Sequence, residues 1–238
     1  MGIPLERITA SRLWPQAAGG DDIPGFVPKL PEHDEVPWLL LDPEFEDSLK
    51  AQLDRLLSQY GHVVPDNVPA SVSIDDSIGP VCIDDRAIVG EGARLEGPCY
   101  VGPGAEIRHS AYVRPYTWVC SSAVIGHSSE VKHSLLLPGA KAPHFNYVGD
   151  SVLGRDANLG AGCKISNLRN DGREVIVRGL EGGDLESGLR KFGALVGDGC
   201  ALGCNSVTNP GVILGREVNV WPNITVSGVH AENSIIKE

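Results

Sequence analysis

His144 stands in the run Lys141-Ala-Pro-His144-Phe-Asn-Tyr147-Val-Gly-Asp150, where the surrounding pattern breaks, and such breaks tend to mark function. An imidazole titrates near neutral pH, so His144 can take and return a proton under ordinary conditions. Three other histidines, His109, His127 and His133, bear on metal chemistry through their spacing. The first two are 18 apart and would stack in a coil of that period, but all three fall at outward turn positions, and no metal is expected. The six cysteines (Cys82, Cys99, Cys120, Cys163, Cys200, Cys204) contain no CxxC pair and no spacing of a closed zinc site. Reduced, buried thiols are the expectation.

The element that must position these residues is a repeat. Every sixth residue from Ile83 is aliphatic: Ile83, Val89, Leu95, Val101, Ile107, Val113, Val119, Ile125, Val131 and Leu137. Four residues after each of the first eight comes a small one, from Ala87, Ala93 and Cys99 through to Thr117, Ala123 and Ser129. The frame slips after Leu137, resumes at Leu153, Leu159 and Ile165, and returns at Val196, Leu202, Leu214, Val220 and Val226. A strand has a side-chain period of two and a helix 3.6, so neither alone gives six. Three six-residue units of strand plus turn, closing a triangular coil of 18 residues, do. The aliphatics then stack along the axis, Val101 on Val119 on Leu137, and the small residues fill the corners. Roughly seven coils at ~4.8 Å each are expected.

The remainder divides simply. Residues 1–70 read as an N-terminal arm and capping helix, and residues 71–238 as the coil with an inserted loop at about 167–191. The first 41 residues are Pro-rich and aperiodic, which predicts an extended arm packed on the body or on a neighbour. A helix is predicted over 43–60, capped by Asp42, with Pro43 in its first turn and Gly61 at its end. Phe45, Leu49, Leu53, Leu56 and Tyr60 make its apolar stripe, which is expected to close the first coil's edge. The insertion reads as a charged, Gly-rich excursion with a hairpin through Glu174–Val177.

Charge and composition exclude several classes. The net charge of −11 argues against a nucleic-acid groove or an anionic membrane surface. Residues 1–100 carry 7 Lys/Arg against 18 Asp/Glu, so the whole excess lies there; residues 101–238 are balanced and can hold a phosphorylated ligand. No apolar run is long enough to span a membrane, and no secretory signal is visible, which makes the cytoplasm the expected location.

The six-residue pattern is the hexapeptide repeat, and this resemblance implies a left-handed parallel β-helix, all-β apart from a short N-terminal helix. A more specific resemblance rests on separated polar residues in fixed register. These are Arg114-Pro115 through Val131-Lys132, the run KAPHFNYVGDS, Asn158-Leu-Gly-Ala161-Gly162, Asn167, and Asp171-Gly172-Arg173. They resemble the C-terminal acetyltransferase domain of the bifunctional N-acetylglucosamine-1-phosphate uridyltransferase/glucosamine-1-phosphate acetyltransferases. The later segment Ser187-Gly-Leu-Arg190-Lys191-Phe-Gly-Ala194 is similar to related sugar-phosphate nucleotidyltransferases.

The resemblance implies a coenzyme-A-dependent acyltransferase acting on an amino-sugar phosphate or a similar small acceptor, with acetyl-CoA or another acyl-CoA as co-substrate. It makes His144 the general base. It places Arg114, Lys132, Tyr147, Asn158, Asn167 and Arg173 around the acceptor, and Ala161, Cys204 and Pro222 along the cofactor. It also implies a homotrimer whose clefts are shared between chains. Arg173, Cys204, Pro222 and Pro143 depart from the family's lysine, serine, alanine and glycine, and neither its basic C-terminal arm nor its Gly-rich nucleotide loop is found. Two other readings stand beside this one. The first is a non-catalytic trimeric β-helix or partner subunit of a separate nucleotidyltransferase. The second is a zinc hydrase of the hexapeptide-repeat carbonic anhydrase type, whose His-x4-His motif is missing here, because five residues separate His127 from His133.

Overall fold

In the computed structural model, which describes residues 2–15, 17 and 25–238, short parallel strands wind into a three-walled, left-handed β-helix. The first wall begins at Ser73–Asp75, the second at Val81–Ile83 and the third at Ile88–Val89. Among the described residues each wall stacks eight strands, one rung more than the repeat count suggests. The aliphatic column runs down the interior as expected: Ile83, Leu95, Val101, Ile107, Val113, Val119, Ile125 and Val131 are at most 1 % exposed. Ala93, Cys99, Ala105, Ala111, Ala123 and Ser129 are buried at the corners, and Cys163 and Cys200 belong to the same interior. Burial pushes the Cys99 and Cys200 thiols up to about 12, so they stay protonated and pack as small apolar groups.

The frame slip comes one residue earlier than the sequence pattern suggests. Val101 pairs with Val119, but Val119 pairs with Leu136, 17 residues on, and Leu136 points inward. Leu137 is buried on the outside instead. The missing residue is lost at the corner between the first and second walls, where His133 adopts a φ of 41°. The next coil repeats the shortening: Val131 pairs with Val148 and Leu136 with Leu153, with Asp150 at the corner and a φ of 48°. Consequently the strands Glu130–Leu136 and Tyr147–Leu153 turn that corner without a break and join two walls into one sheet.

A second core lies outside the prism. The outward residues of the second wall form one register column: Cys82, Tyr100, Trp118, Leu135, Val152, Leu195, Ile213 and Val229. All are buried and apolar, beneath Ile8, Leu13, Trp14, Trp38, Leu40 and Leu41 of the arm. Trp14 donates from Nε1 to the Val196 carbonyl at 2.9 Å, and Trp118 Nε1 to the Phe26 carbonyl at 3.0 Å. The arm therefore packs on its own body.

The helix spans Leu49–Tyr60, shorter than the predicted 43–60. Ser48, rather than Asp42, is its cap, with Oγ accepting from the Ala51 N–H at 3.2 Å. Its buried face is Leu49, Leu53 and Leu57, and it packs on the second wall beside Tyr100 instead of closing the first coil. The insertion forms the expected hairpin, Ile176–Val177 against Leu185–Glu186. Its Val175, Val177, Leu180, Leu189 and Phe192 extend the outer core, with Phe192 6.1 Å from the Trp38 ring.

Candidate active site

His144 ends the strand Lys141–His144 at the corner where the third wall passes into the first. Backbone bonds fix its rung: the Phe145 N–H donates to the His127 carbonyl at 2.8 Å, and the Gly162 N–H to the His144 carbonyl at 3.0 Å. The Asn205 N–H donates to Ala161 at 2.8 Å and the Asn223 N–H to Cys204 at 2.9 Å. Each donor here is a corner residue of positive φ. His144, Ala161, Cys204 and Pro222 thus occupy one position on four successive rungs, a single edge. Asn146 pins the corner, accepting from the His144 N–H at 3.0 Å and donating to the Gly160 carbonyl at 2.8 Å. The imidazole is exposed and makes no hydrogen bond or ion pair among the described residues. The Ala161 N–H likewise has no acceptor among them.

The first wall, adjoining that edge, carries the polar set. Arg114 donates from Nη1 to Glu130 at 2.8 Å, lies 5.7 Å over the Tyr112 ring, and has a buried Nε with no partner. Lys132 follows on the next rung, 3.2 Å from Asp150. Tyr147 and Asn167 meet beside Gly149: a Cβ on that glycine would lie 2.6 Å from Asn167 Nδ2 and 2.7 Å from Tyr147 Oη. Any larger residue there would push them apart. Burial, with the charges of Asp150 and Glu130, raises the Tyr147 phenol above its ordinary value, so it is a hydrogen-bond donor at neutral pH.

Asp150 is the hub of this wall. Its carboxylate, only 4 % exposed, accepts from His133 Nδ1 at 2.8 Å, from Lys132, and in a short bond from Asn167 Nδ2. Burial alone would raise its pKa, but the His133 bond and charge, the Lys132 charge and the Asn167 bond outweigh it and hold the group below its ordinary value. The sequence reading passed over Asp150 as a ligand of anything and took His133 for an outward residue. The signal for both is the pair of one-residue frame losses, which turn these two side chains toward each other on stacked corners.

The chain brings Arg114, Lys132, Tyr147 and Asn167 to one wall and His144, Ala161, Cys204 and Pro222 to one edge. Asn158 is not with either set; it lies on the third wall, paired with Lys141. Arg173 sits in the insertion, 80 % exposed and 3.7 Å from Asp171. His109 and His127 stack ring on ring at 4.0 Å, while His133 is held by Asp150. Among the described residues no three His, Cys, Asp or Glu side chains are grouped to hold a metal ion.

A stacked hexapeptide-repeat prism with an imidazole on its edge defines a class of β-helix proteins, and comparison with known proteins places the chain within it. The family described as the GMPPB C-terminal domain matches residues 95–181. The bifunctional sugar-1-phosphate nucleotidylyltransferase/acetyltransferase of Sulfurisphaera tokodaii is 40 % identical over 192 residues, 80 % of this chain and 45 % of that protein. The bifunctional protein GlmU of Methanococcus maripaludis is 31 % identical over 187 residues, 78 % of this chain and 43 % of that protein. The chain spans less than half the length of these two relatives. With the uncharacterised acetyltransferase YaiX of Escherichia coli it shares 32 % identity over 189 residues, 79 % of this chain and 82 % of that one. The chain belongs to this hexapeptide-repeat family, of which YaiX and the sugar-1-phosphate nucleotidylyltransferase/acetyltransferases are members.

Proposed function

We propose that the chain transfers an acyl group from coenzyme A to the amine of an amino-sugar phosphate or a similar small acceptor. The observation that carries this reading is the His144 edge. A free imidazole, the unpaired Ala161 N–H, Cys204 and Pro222 follow one another on successive rungs, beside a wall bearing Arg114, Lys132 and Tyr147. The names of two of the relatives, the Sulfurisphaera tokodaii protein and YaiX, include acetyltransferase and support it.

The chemistry follows from these groups. The acceptor nitrogen attacks the thioester carbonyl while an imidazole nitrogen of His144 takes its proton, the general-base role that imidazoles most often fill. The C–N bond forms and the oxyanion that develops is met by the Ala161 N–H. Collapse breaks the C–S bond, and His144 returns the proton to the departing thiolate. Arg114, with its unpartnered Nε, and Lys132 hold the phosphate. Tyr147 and Asn167 donate to acceptor hydroxyls, Asn167 being held in place by its bond to Asp150. Asn158 and Arg173 stand apart from this set within one chain, which supports a cleft completed by a second copy in a homotrimer.

Mixing the protein with acetyl-CoA and glucosamine-1-phosphate or galactosamine-1-phosphate should release free thiol. Silence across a broad panel of amines and hydroxyls overturns the reading and favours a scaffold role.

A further inference from the structure

We propose that Arg7 and Arg12 of the N-terminal arm, together with the last two rungs of the prism, form a binding site for a small phosphate monoester. The site lies on a different edge from His144 and does not depend on the acyl-transfer reading.

A cavity of about 190 Å³ opens where the arm crosses the corner between the second and third walls, and Arg7 and Arg12 there meet Gly215, His230 and Ala231. Its two sides are fixed by backbone bonds. The Ile3 N–H donates to the Gly179 carbonyl at 2.9 Å and the Asp198 N–H to the Leu13 carbonyl at 3.0 Å, which ties the arm down at both ends of this stretch. The Gly215 N–H donates to the His230 carbonyl at 2.9 Å, which stacks the last two rungs. The corner itself is bare for a steric reason. A Cβ on Gly215 would lie 2.5 Å from the Glu232 nitrogen, and the rung beyond it contributes only the methyl of Ala231.

The charge here is unbalanced. Arg7 and Arg12 are exposed, and neither side chain makes an ion pair or hydrogen bond among the described residues, although the chain carries eleven excess negative charges. Glu232, which also lines the cavity, is taken by Arg216, whose Nη2 donates to it at 2.6 Å. That bond holds the Glu232 carboxyl below its ordinary value, with smaller contributions from the charges of Arg12 and Arg7. Three guanidiniums thus act on one carboxylate, an excess of two positive charges.

The ligand class follows from that excess and from the volume. Each guanidinium presents a planar fork of N–H donors that fits a carboxylate or a phosphate. A carboxylate answers one charge, whereas a phosphate monoester carries nearly two at neutral pH and answers both. The cavity is smaller than the ~300 Å³ at which drug-sized sites begin, so it admits a phosphate and a few carbons. Ile3 and Ile8 give those carbons an apolar wall.

The test is titration of the whole chain with ethyl phosphate, and with acetate at matched ionic strength, followed by calorimetry and by NMR of the His230 ring. Loss of one ring signal in His230→Gln identifies it. Ethyl phosphate should bind and move that signal, and acetate should bind at least about tenfold more weakly. Arg7→Ala and Arg12→Ala combined should weaken ethyl phosphate at least about tenfold while the unfolding midpoint barely moves, because both side chains are exposed and unpaired. Arg114→Ala, at the site proposed for the acceptor, should leave the His230 response unchanged. A His230 signal that stays still, or a response that survives loss of both arginines, overturns the site. Acetate that binds as tightly as ethyl phosphate overturns the ligand class. Wild-type protein that binds ethyl phosphate here but releases no thiol from acetyl-CoA loses the acyl-transfer reading and keeps this site.

Discussion

His133 and Asp150 occupy stacked corners of adjacent coils, with the imidazole Nδ1 2.8 Å from the carboxylate. Each corner is one residue short, and the shortening brings the pair face to face. The same carboxylate holds Lys132 and Asn167, so one buried negative charge organises the polar wall beside the His144 edge.

Asp150→Asn leaves Lys132 and His133 without their counter-charge at a site that is nearly closed to water. The expected loss is about 3 kcal/mol of folding stability, read from urea unfolding midpoints at pH 7. A variant as stable as wild type contradicts the hub.

The pH dependence follows from the direction of the Asp150 shift. Its carboxyl is held below the ordinary 3.8 in the folded chain and returns to that value on unfolding. A group depressed by folding stabilises fully above its unfolded value and loses that contribution as pH falls through the folded one. The stability gap between wild type and Asp150→Asn should therefore narrow as pH falls below 3.8. A gap that persists to the lowest accessible pH counts against the assignment.

Trp14→Ala removes a buried indole and its bond to Val196 from the outer core. The expected cost is about 3–5 kcal/mol, and the variant should bind a hydrophobic dye through the uncovered second wall. Unfolding that matches wild type would mean that the arm is not part of the fold.

Much of this architecture was legible in the sequence, because an inward side chain on every hexad has no substitute and each break shows. Ile83 through Val131 sit where the period puts them. The outer core was not legible, since tracking every sixth residue ignores the residue before it. Tyr100, Trp118, Leu135 and Ile213 each precede an inward aliphatic, and their apolar character was the missed sign of a covered wall. The helix start moved from Asp42 to Ser48 because Phe45 and Ser48 close a turn first, the Ser48 N–H donating to the Phe45 carbonyl at 3.0 Å. His144 and its neighbours were visible as a pattern break, whereas Asp150 needed the corner geometry to acquire a role.

Arg114→Ala should raise KM for the phosphorylated acceptor about tenfold or more, with a smaller change in kcat, because a charge-assisted bond to phosphate is lost. Stability should barely move, since the Arg114–Glu130 pair is a third exposed on both sides. Steady-state kinetics with phosphorylated and unphosphorylated acceptors checks this: an equal effect on both acceptors would remove Arg114 from the phosphate site.

The most direct measurement compares wild type with His144→Ala for thiol release from acetyl-CoA in the presence of an accepted amino-sugar phosphate, alongside the unfolding midpoint and the affinity for coenzyme A. Loss of the general base should cut turnover about 10²–10⁴-fold while the midpoint and the affinity stay put, because the exposed ring holds nothing else in the chain. Turnover that survives the substitution would contradict the role given to this edge.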